Sequence, residues 1–374
     1  MMLVAAIVAL ALAFFISILA TPLAGQVAYR FGMIDTPQRH KAHAKPTPLL
    51  GGCAIFAAVL GPSLLALALV RVWAHDGVPS WMPQAMAQHI PGAASKAPMA
   101  IIVLFGAFAL HVMGIIDDRR NLGPWLKLAL QVAICSAVVI FTGIADPNAG
   151  GVRVLTALDR FMSGGKTISI IISIIWLVGV TNAFNFLDNT DGLSAGVAAI
   201  CAAALLGASA SIGQIFVSAW LCLLLGALAG FLVYNFPPAK IFMGDGGALV
   251  IGYMMAVLTC LTTYAPPGTF HLYYVVAPLV LLAVPLYDMA GVIYLRVRER
   301  RNPMVGDRRH FSHRLMRRGM STRAVVGTIY CCTIATAIAA SLLPHADAVG
   351  AALVIAQTIA ILVVIVMLEG ADRP

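Results

Sequence analysis

The chain has 374 residues, of which 61% are hydrophobic and only 10% charged, and it carries a formal net charge of +9. Soluble domains carry roughly 25% charged residues, so this composition excludes a soluble globular protein and points to a polytopic membrane protein. The basic excess does not indicate a nucleic-acid binder, because the Lys and Arg residues fall in short loops between apolar runs, where membrane topology accounts for them.

The seven Cys residues lie in or at the ends of apolar runs and form no CxxC pair. They read as small packing residues, not as a disulfide frame or a metal site. A membrane span needs about 20 mostly apolar residues. Eleven stretches qualify: 2–23, 49–72, 98–116, 125–145, 167–187, 193–212, 214–236, 247–265, 271–295, 323–343 and 349–368. No Lys or Arg precedes the run that begins at Met2, so it reads as a first span and not as a cleaved signal. No long hydrophilic tract and no internal repeat interrupts the pattern. The expectation is one integral membrane domain over 1–374, and not a transporter built from duplicated halves.

The loops differ in charge. Those at about 24–48, 117–127, 188–192, 237–246 and 296–323, with the C-terminal tail, hold 19 Lys/Arg, and the alternate set holds 5. Positive residues mark the cytoplasmic side. The predicted architecture is therefore an all-α membrane bundle of about 11 transmembrane helices, N-terminus outside and C-terminus cytoplasmic.

Every chemically interesting loop falls on the cytoplasmic side of that assignment. In the first, Arg39, Lys41, His43 and Lys45 precede a Pro-stiffened turn and Gly51-Gly52, a pair that lets backbone approach closely. In the second, Asp117 and Asp118 close an apolar helix, where negative charge is disfavoured by the helix dipole. Arg119 and Arg120 follow as neutralising partners, and Lys127 enters the next span. His111, inside the preceding span, reads as a satisfied bundle histidine.

The third stretch, 185–192, is the mouth of a span. Asn182, Asn185, Asp188 and Asp191 recur every three residues. A step of three precesses by about 60° on an α-helix, so Asn185 and Asp188 share a face, and Gly192 marks a stop. The fourth, 237–247, places Asp245 between glycines at the start of a span. That is an ordinary helix cap, or a carboxylate freed to meet a metal that bridges to phosphate. The fifth, 296–323, holds ten Arg with Asp307, His310 and His313. His310 and His313 beside Arg309 and Arg314 form a good anion clamp. Asp288, in the span before it, is a buried acid that needs a partner.

Four motifs together, GIIDD at 114–118, NAFNFLDNTDG at 182–192, FMGDGG at 242–247 and DRRHFSHRL at 307–315, resemble the polyprenyl-phosphate N-acetylhexosamine-1-phosphate transferases. These belong to glycosyltransferase family 4. They include the enzymes that start O-antigen, enterobacterial common antigen and teichoic acid synthesis, and the related phospho-MurNAc-pentapeptide transferase. The resemblance covers about Ile34 to Leu315 and fits the GlcNAc-1-phosphate branch better. It implies transfer of a sugar-1-phosphate, with GlcNAc-1-phosphate expected, from a UDP-sugar to undecaprenyl phosphate, with release of UMP. The alternatives are another UDP-N-acetyl sugar or phospho-MurNAc-pentapeptide and, from a different class, a non-catalytic transporter or lipid-linked-sugar carrier.

The resemblance further implies Mg²⁺, with Mn²⁺ as an alternative, and a multi-pass enzyme of the bacterial inner membrane that starts a cell-envelope polysaccharide and is allowed to form a homodimer. It assigns Asp117, Asp118 and Lys127 to catalysis, and Asn185 and Asp245 to the metal and diphosphate. Asp188, Asp191, His310, His313 and Arg314 are assigned to substrate binding, and Lys45 of the basic first loop is expected to join them. The sequence departs from the family at Ser312, where the branch usually has a histidine, and at Asn189-Thr190, which replace a Gly-containing step.

Overall fold

The computed structural model describes residues 2–36, 46–147, 150–154, 156, 163–264, 272–300 and 309–370. Its helices, in chain order, are α1 (Met2–Phe31), α2 (Gly51–Asp76), α3 (Gln84–Ala87), α4 (Ile90–Arg120), α5 (Pro124–Ala145), α6 (Gly165–Leu187), α7 (Leu193–Ser211), α8 (Ile215–Asn235), α9 (Asp245–Leu261), α10 (Ala277–Leu281), α11 (Ala283–Arg298), α12 (Phe311–Arg317), α13 (Thr322–Leu342) and α14 (Ala348–Gly370). A two-stranded ribbon, β1 (Ile34–Asp35) with β2 (Thr47–Pro48), pairs Ile34 with Pro48. Lys45, together with Arg39, Lys41, His43 and Asp307, lies outside the described residues.

Each of the eleven predicted stretches contains a helix. Nine described helices are long and apolar enough to cross a membrane. The other two differ from the expectation of simple spans. The stretch 271–295 is broken, with Tyr273–Leu281 and Ala283–Arg298 meeting at 73°. The stretch 247–265 is the 17-residue helix α9, and its residues from Gly246 to Thr259 are all buried.

The reason lies in the surroundings of α9. A helix apolar on every side must be buried in protein or in lipid. Helix α1 takes lipid: Leu3, Ile7, Phe15, Leu19 and Leu23 are exposed on it. Helix α9 takes protein, packed among α2, α4, α6 and α7. Its first turn admits neighbours because it lacks side chains there. A Cβ on Gly52 would lie 2.3 Å from Gly247 N, and one on Gly114 would lie 2.5 Å from Gly246 Cα. Small residues at helix contacts let backbones meet, the main packing device where lipid removes the hydrophobic drive.

The connections then fix one end of the bundle. Helix α4 ends at Arg120 and α5 begins at Pro124, so both meet there. Helices α6 and α9 bring their own C- and N-termini, Leu187 and Asp245, to the same end.

Candidate active site

Gly244, whose φ of +69° suits glycine, precedes helix α9 as its N-cap and offers no side-chain cap. The first backbone N–H groups of a helix need acceptors. Asp118, at the end of α4, supplies them: its Oδ1 accepts from Asp245 N at 3.0 Å and its Oδ2 from Gly246 N at 3.3 Å. The acid that looked misplaced at a helix C-terminus therefore sits on the N-terminus of another helix, where the dipole favours it. His111 completes the turn, with its Nδ1 2.9 Å from Gly246 O and its ring stacked on Phe56. It is the satisfied bundle histidine that its position predicted.

With α9 seated in this way, its first side chain, Asp245, meets Lys127 and Asn185. Lys127 lies in the first turn of α5, and helix side chains lean toward the N-terminus. Its Nζ forms ion pairs with Asp117 Oδ2, at 3.0 Å, and with Asp245 Oδ2, and donates to Asn185 Oδ1 at 3.3 Å. Asn185 Nδ2 donates to the other oxygen of Asp245 at 2.7 Å. Asp117 Oδ1 accepts from Leu122 N at 2.7 Å, which ties it to the α4–α5 turn. The Lys127 side chain is 16% exposed and that of Asp117 11%, so the cluster is sheltered but reachable.

The Asn/Asp series at the mouth of α6 divides among separate tasks. Asn182, one turn deeper, donates to Gln131 Oε1 at 2.5 Å. Asp188 lies just past the helix, beside the other acids. Burial, then the carboxylates of Asp245, Asp118 and Asp191, pushes its carboxyl up to about 8. Asp191 Oδ2 accepts from Ala239 N at 2.9 Å, which ties the α6–α7 turn to the 237–240 loop. Asn235 joins the same two segments, accepting from Gly192 N at 3.0 Å and donating to Ile241 O at 2.8 Å.

The histidine motif lies on α12 and the residue before it. His310 Nδ1 faces Asp288 Oδ2 at 2.9 Å, and Asp288 Oδ1 accepts from Phe311 N at 2.7 Å. Asp288, 1% exposed, thus has the partner it required. The His310 ring meets Phe186, whose ring also faces the Arg296 guanidinium at 5.4 Å, and lies 6.2 Å from the His313 ring. Through Phe186, next to Asn185, the motif adjoins the carboxylate cluster. Ser312 Oγ donates to Asn189 Oδ1, so the two departures from the family pattern meet each other. Arg314 behaves differently from a simple anion clamp: its Nη2 donates to Glu369 Oε1 at 2.8 Å.

Gln131 and Glu369 were not singled out from sequence. A lone Gln inside an apolar run is a weak signal that polarity is needed there, and Glu369 is the single acid of its apolar helix.

Among the described residues, no group of three or more His, Cys, Asp or Glu converges as a metal cage. A Mg²⁺ bridging to a substrate needs less: one or two carboxylates, with phosphate oxygens and water completing six ligands. Asp117, Asp245 and the Asn185 amide oxygen converge on one cation here, the Lys127 ammonium. The donor set therefore fits a hard cation shared with phosphate.

The profile of glycosyl transferase family 4 matches residues 100–263, which run from α4 through α9 and hold the whole carboxylate cluster. A "probable undecaprenyl-phosphate N-acetylglucosaminyl 1-phosphate transferase" of Bacillus subtilis is 31% identical over 322 residues, 85% of this chain and 80% of its own. A decaprenyl-phosphate N-acetylglucosaminephosphotransferase of Mycobacterium leprae is 32% identical over 84% of this chain and 78% of its own. An undecaprenyl-phosphate alpha-N-acetylglucosaminyl 1-phosphate transferase of Escherichia coli is 26% identical over 85% and 78%.

Proposed function

Because the chain belongs to glycosyl transferase family 4, we propose that it transfers GlcNAc-1-phosphate from UDP-GlcNAc to a polyprenyl phosphate, with undecaprenyl phosphate as the acceptor. The relatives' names support the reaction. The observation that carries it to this site is Lys127 held between Asp117 and Asp245 at the end of a membrane bundle. A soluble phosphorylated donor and a lipid acceptor both reach such a place. The excess of Lys and Arg in the loops at this end supports a cytoplasmic active site in a bacterial inner membrane.

In the reaction an oxygen of the lipid phosphate attacks the β-phosphorus of the UDP-sugar in line. A new P–O bond forms, the bond from the β-phosphorus to the bridging oxygen breaks, and UMP leaves with that electron pair. Phosphoryl transfer asks of a protein mostly positioning and charge neutralisation. Lys127 supplies a fixed positive charge, oriented by the two carboxylates and by Asn185. Asp117, tied to the α4–α5 turn, orients the acceptor. The second pKa of a phosphate ester is about 6, so the nucleophile is already ionised near neutral pH and Asp117 need not remove a proton. Asp118 holds Asp245 in place through the α9 backbone. His310 and His313 of the α12 motif, and Asp188 at the end of α6, are assigned to the donor. Asp245 and Asn185 would hold Mg²⁺, which would supply Lewis-acid neutralisation of the leaving group.

The test uses purified protein in detergent with undecaprenyl phosphate, UDP-GlcNAc and Mg²⁺. UMP and a GlcNAc-diphospho-lipid are expected. UMP from UDP-GalNAc alone would move the sugar assignment, and no UMP from any UDP-sugar in folded protein would overturn the reading in favour of a carrier.

A further inference from the structure

Helix α12 is seven residues long. Isolated helices shorter than about 12–15 residues are marginal in water, so its place is set by what grips it. Three elements do. Asp288 of α11 holds its start through His310 and the Phe311 N–H. Asn189, from the α6–α7 turn, receives the Ser312 hydroxyl, and its own amide donates to Phe186 O at 2.7 Å. The third grip comes from the far end of the chain. Glu369, at the end of α14, accepts Arg314 Nη2 on Oε1 at 2.8 Å and the Tyr287 hydroxyl on Oε2 at 3.0 Å. Arg318 donates to the carbonyls of Leu368 and Glu369 beside it.

This is not a solvated surface pair. The Arg314 and Glu369 side chains are 14% and 10% exposed. Removing one partner of such a pair leaves the other charge sheltered and uncompensated. Both Glu369 oxygens are engaged by donors from different helices, which fixes the carboxylate and, with it, the plane of the Arg314 guanidinium. Arg314 Nε is buried and has no partner among the described residues. Its direction is fixed by the same contact.

We infer that Glu369 is a positioning residue for the transfer reaction: by fixing Arg314 it seats α12, and so sets where His310 and His313 meet the sugar nucleotide. The inference rests on the transferase reading for what the histidines meet, but not for the seating of α12. It makes the last helix, otherwise apolar and largely lipid-facing, part of the active-site wall.

The experiment compares Glu369→Ala, Glu369→Gln and Tyr287→Phe with the wild type in the full-length protein. Hydrogen–deuterium exchange over 309–318, measured without substrate, is expected to rise in E369A and to rise less in E369Q, which keeps an acceptor for Arg314. Charged hydrogen bonds of this kind correspond to about a tenfold change or more. The KM for UDP-GlcNAc is expected to rise about tenfold in E369A while kcat changes little, the pattern of lost uniform binding. Unchanged exchange and unchanged KM in E369A would overturn the inference, and so would a fall in kcat alone. Should E369A fail to fold, E369Q and Tyr287→Phe decide the question on the same two readouts. A wild type that releases no UMP would sink the transferase reading, while the exchange data would still decide whether Glu369 seats α12.

Discussion

Asp118 Oδ1 accepts the backbone N–H of Asp245 at 3.0 Å, so a carboxylate closing one helix caps the helix that carries another. The two acids share a site, yet they do different work. Asp118 holds backbone, and through it places the Asp245 side chain against Lys127 and Asn185.

Replacing Asp118 by Ala should therefore act through position. A displacement of about 1 Å at a reacting centre costs on the order of 10²-fold in rate, and loss of an N-cap costs about 1 kcal/mol. Turnover and thermal unfolding in detergent, measured together, should show both losses. Full activity with an unchanged melting temperature in D118A would remove the capping role.

Lys127→Ala leaves Asp117 and Asp245 facing each other without their shared cation. Loss of a fixed charge at the reaction centre is expected to lower kcat by about 10²–10³-fold. Lys127→Arg should not restore it, because a planar fork cannot stand at the single point where three acceptors converge. Steady-state UMP release checks both variants.

Gly52→Ala should destabilise without touching the chemistry directly. The added Cβ would lie 2.3 Å from Gly247 N, 2.4 Å from its Cα and 2.8 Å from Met243 O, all backbone atoms that cannot swing aside. Overpacking of this kind costs about 1–3 kcal/mol. A lower melting temperature is expected, whereas an unchanged one would mean that the α2–α9 contact is loose.

Asp188 gives a pH signature. Its carboxyl is raised to about 8 by burial and then by the carboxylates of Asp245, Asp118 and Asp191. The folded protein thus holds a proton that the unfolded chain releases near pH 4. The linked stability is complete below about pH 4 and is lost as pH rises through about 8. Ligand-free wild type should lose thermal stability from about pH 4 to about pH 8, with no further loss from this group above that. Asp188→Asn, neutral throughout, should lose less. Parallel profiles would contradict the placement of Asp188.

The parts of this site legible in sequence were those in which local chemistry was out of place for its setting. Asp117-Asp118 violated the preference against acids at a helix C-terminus, Asn185 stood at the mouth of an apolar helix and Asp245 among glycines, and the fold brings all of them together with Lys127. The roles within the cluster were not legible, because they depend on contacts across the fold. Nothing near Asp118 announces that its partner N–H lies 127 residues away. Arg314 reads as an anion clamp until Glu369, 55 residues on, is seen to hold it. Asp191 reads as a ligand contact, and sequence does not show that one of its oxygens also accepts from Ala239 N. Hydropathy located each of the nine described helices that are long and apolar enough to cross a membrane. It could not show that α9 is short and sealed inside the protein, since lipid and protein interiors are equally apolar.

The most direct test follows two labels in UDP-GlcNAc, one in the sugar and one at the β-phosphorus, with the wild-type protein and undecaprenyl phosphate. Both labels are expected to enter the lipid fraction in equal amounts, with release of unlabelled UMP. Sugar label alone in the lipid, with labelled UDP released, would mean attack at the sugar carbon and would contradict the account.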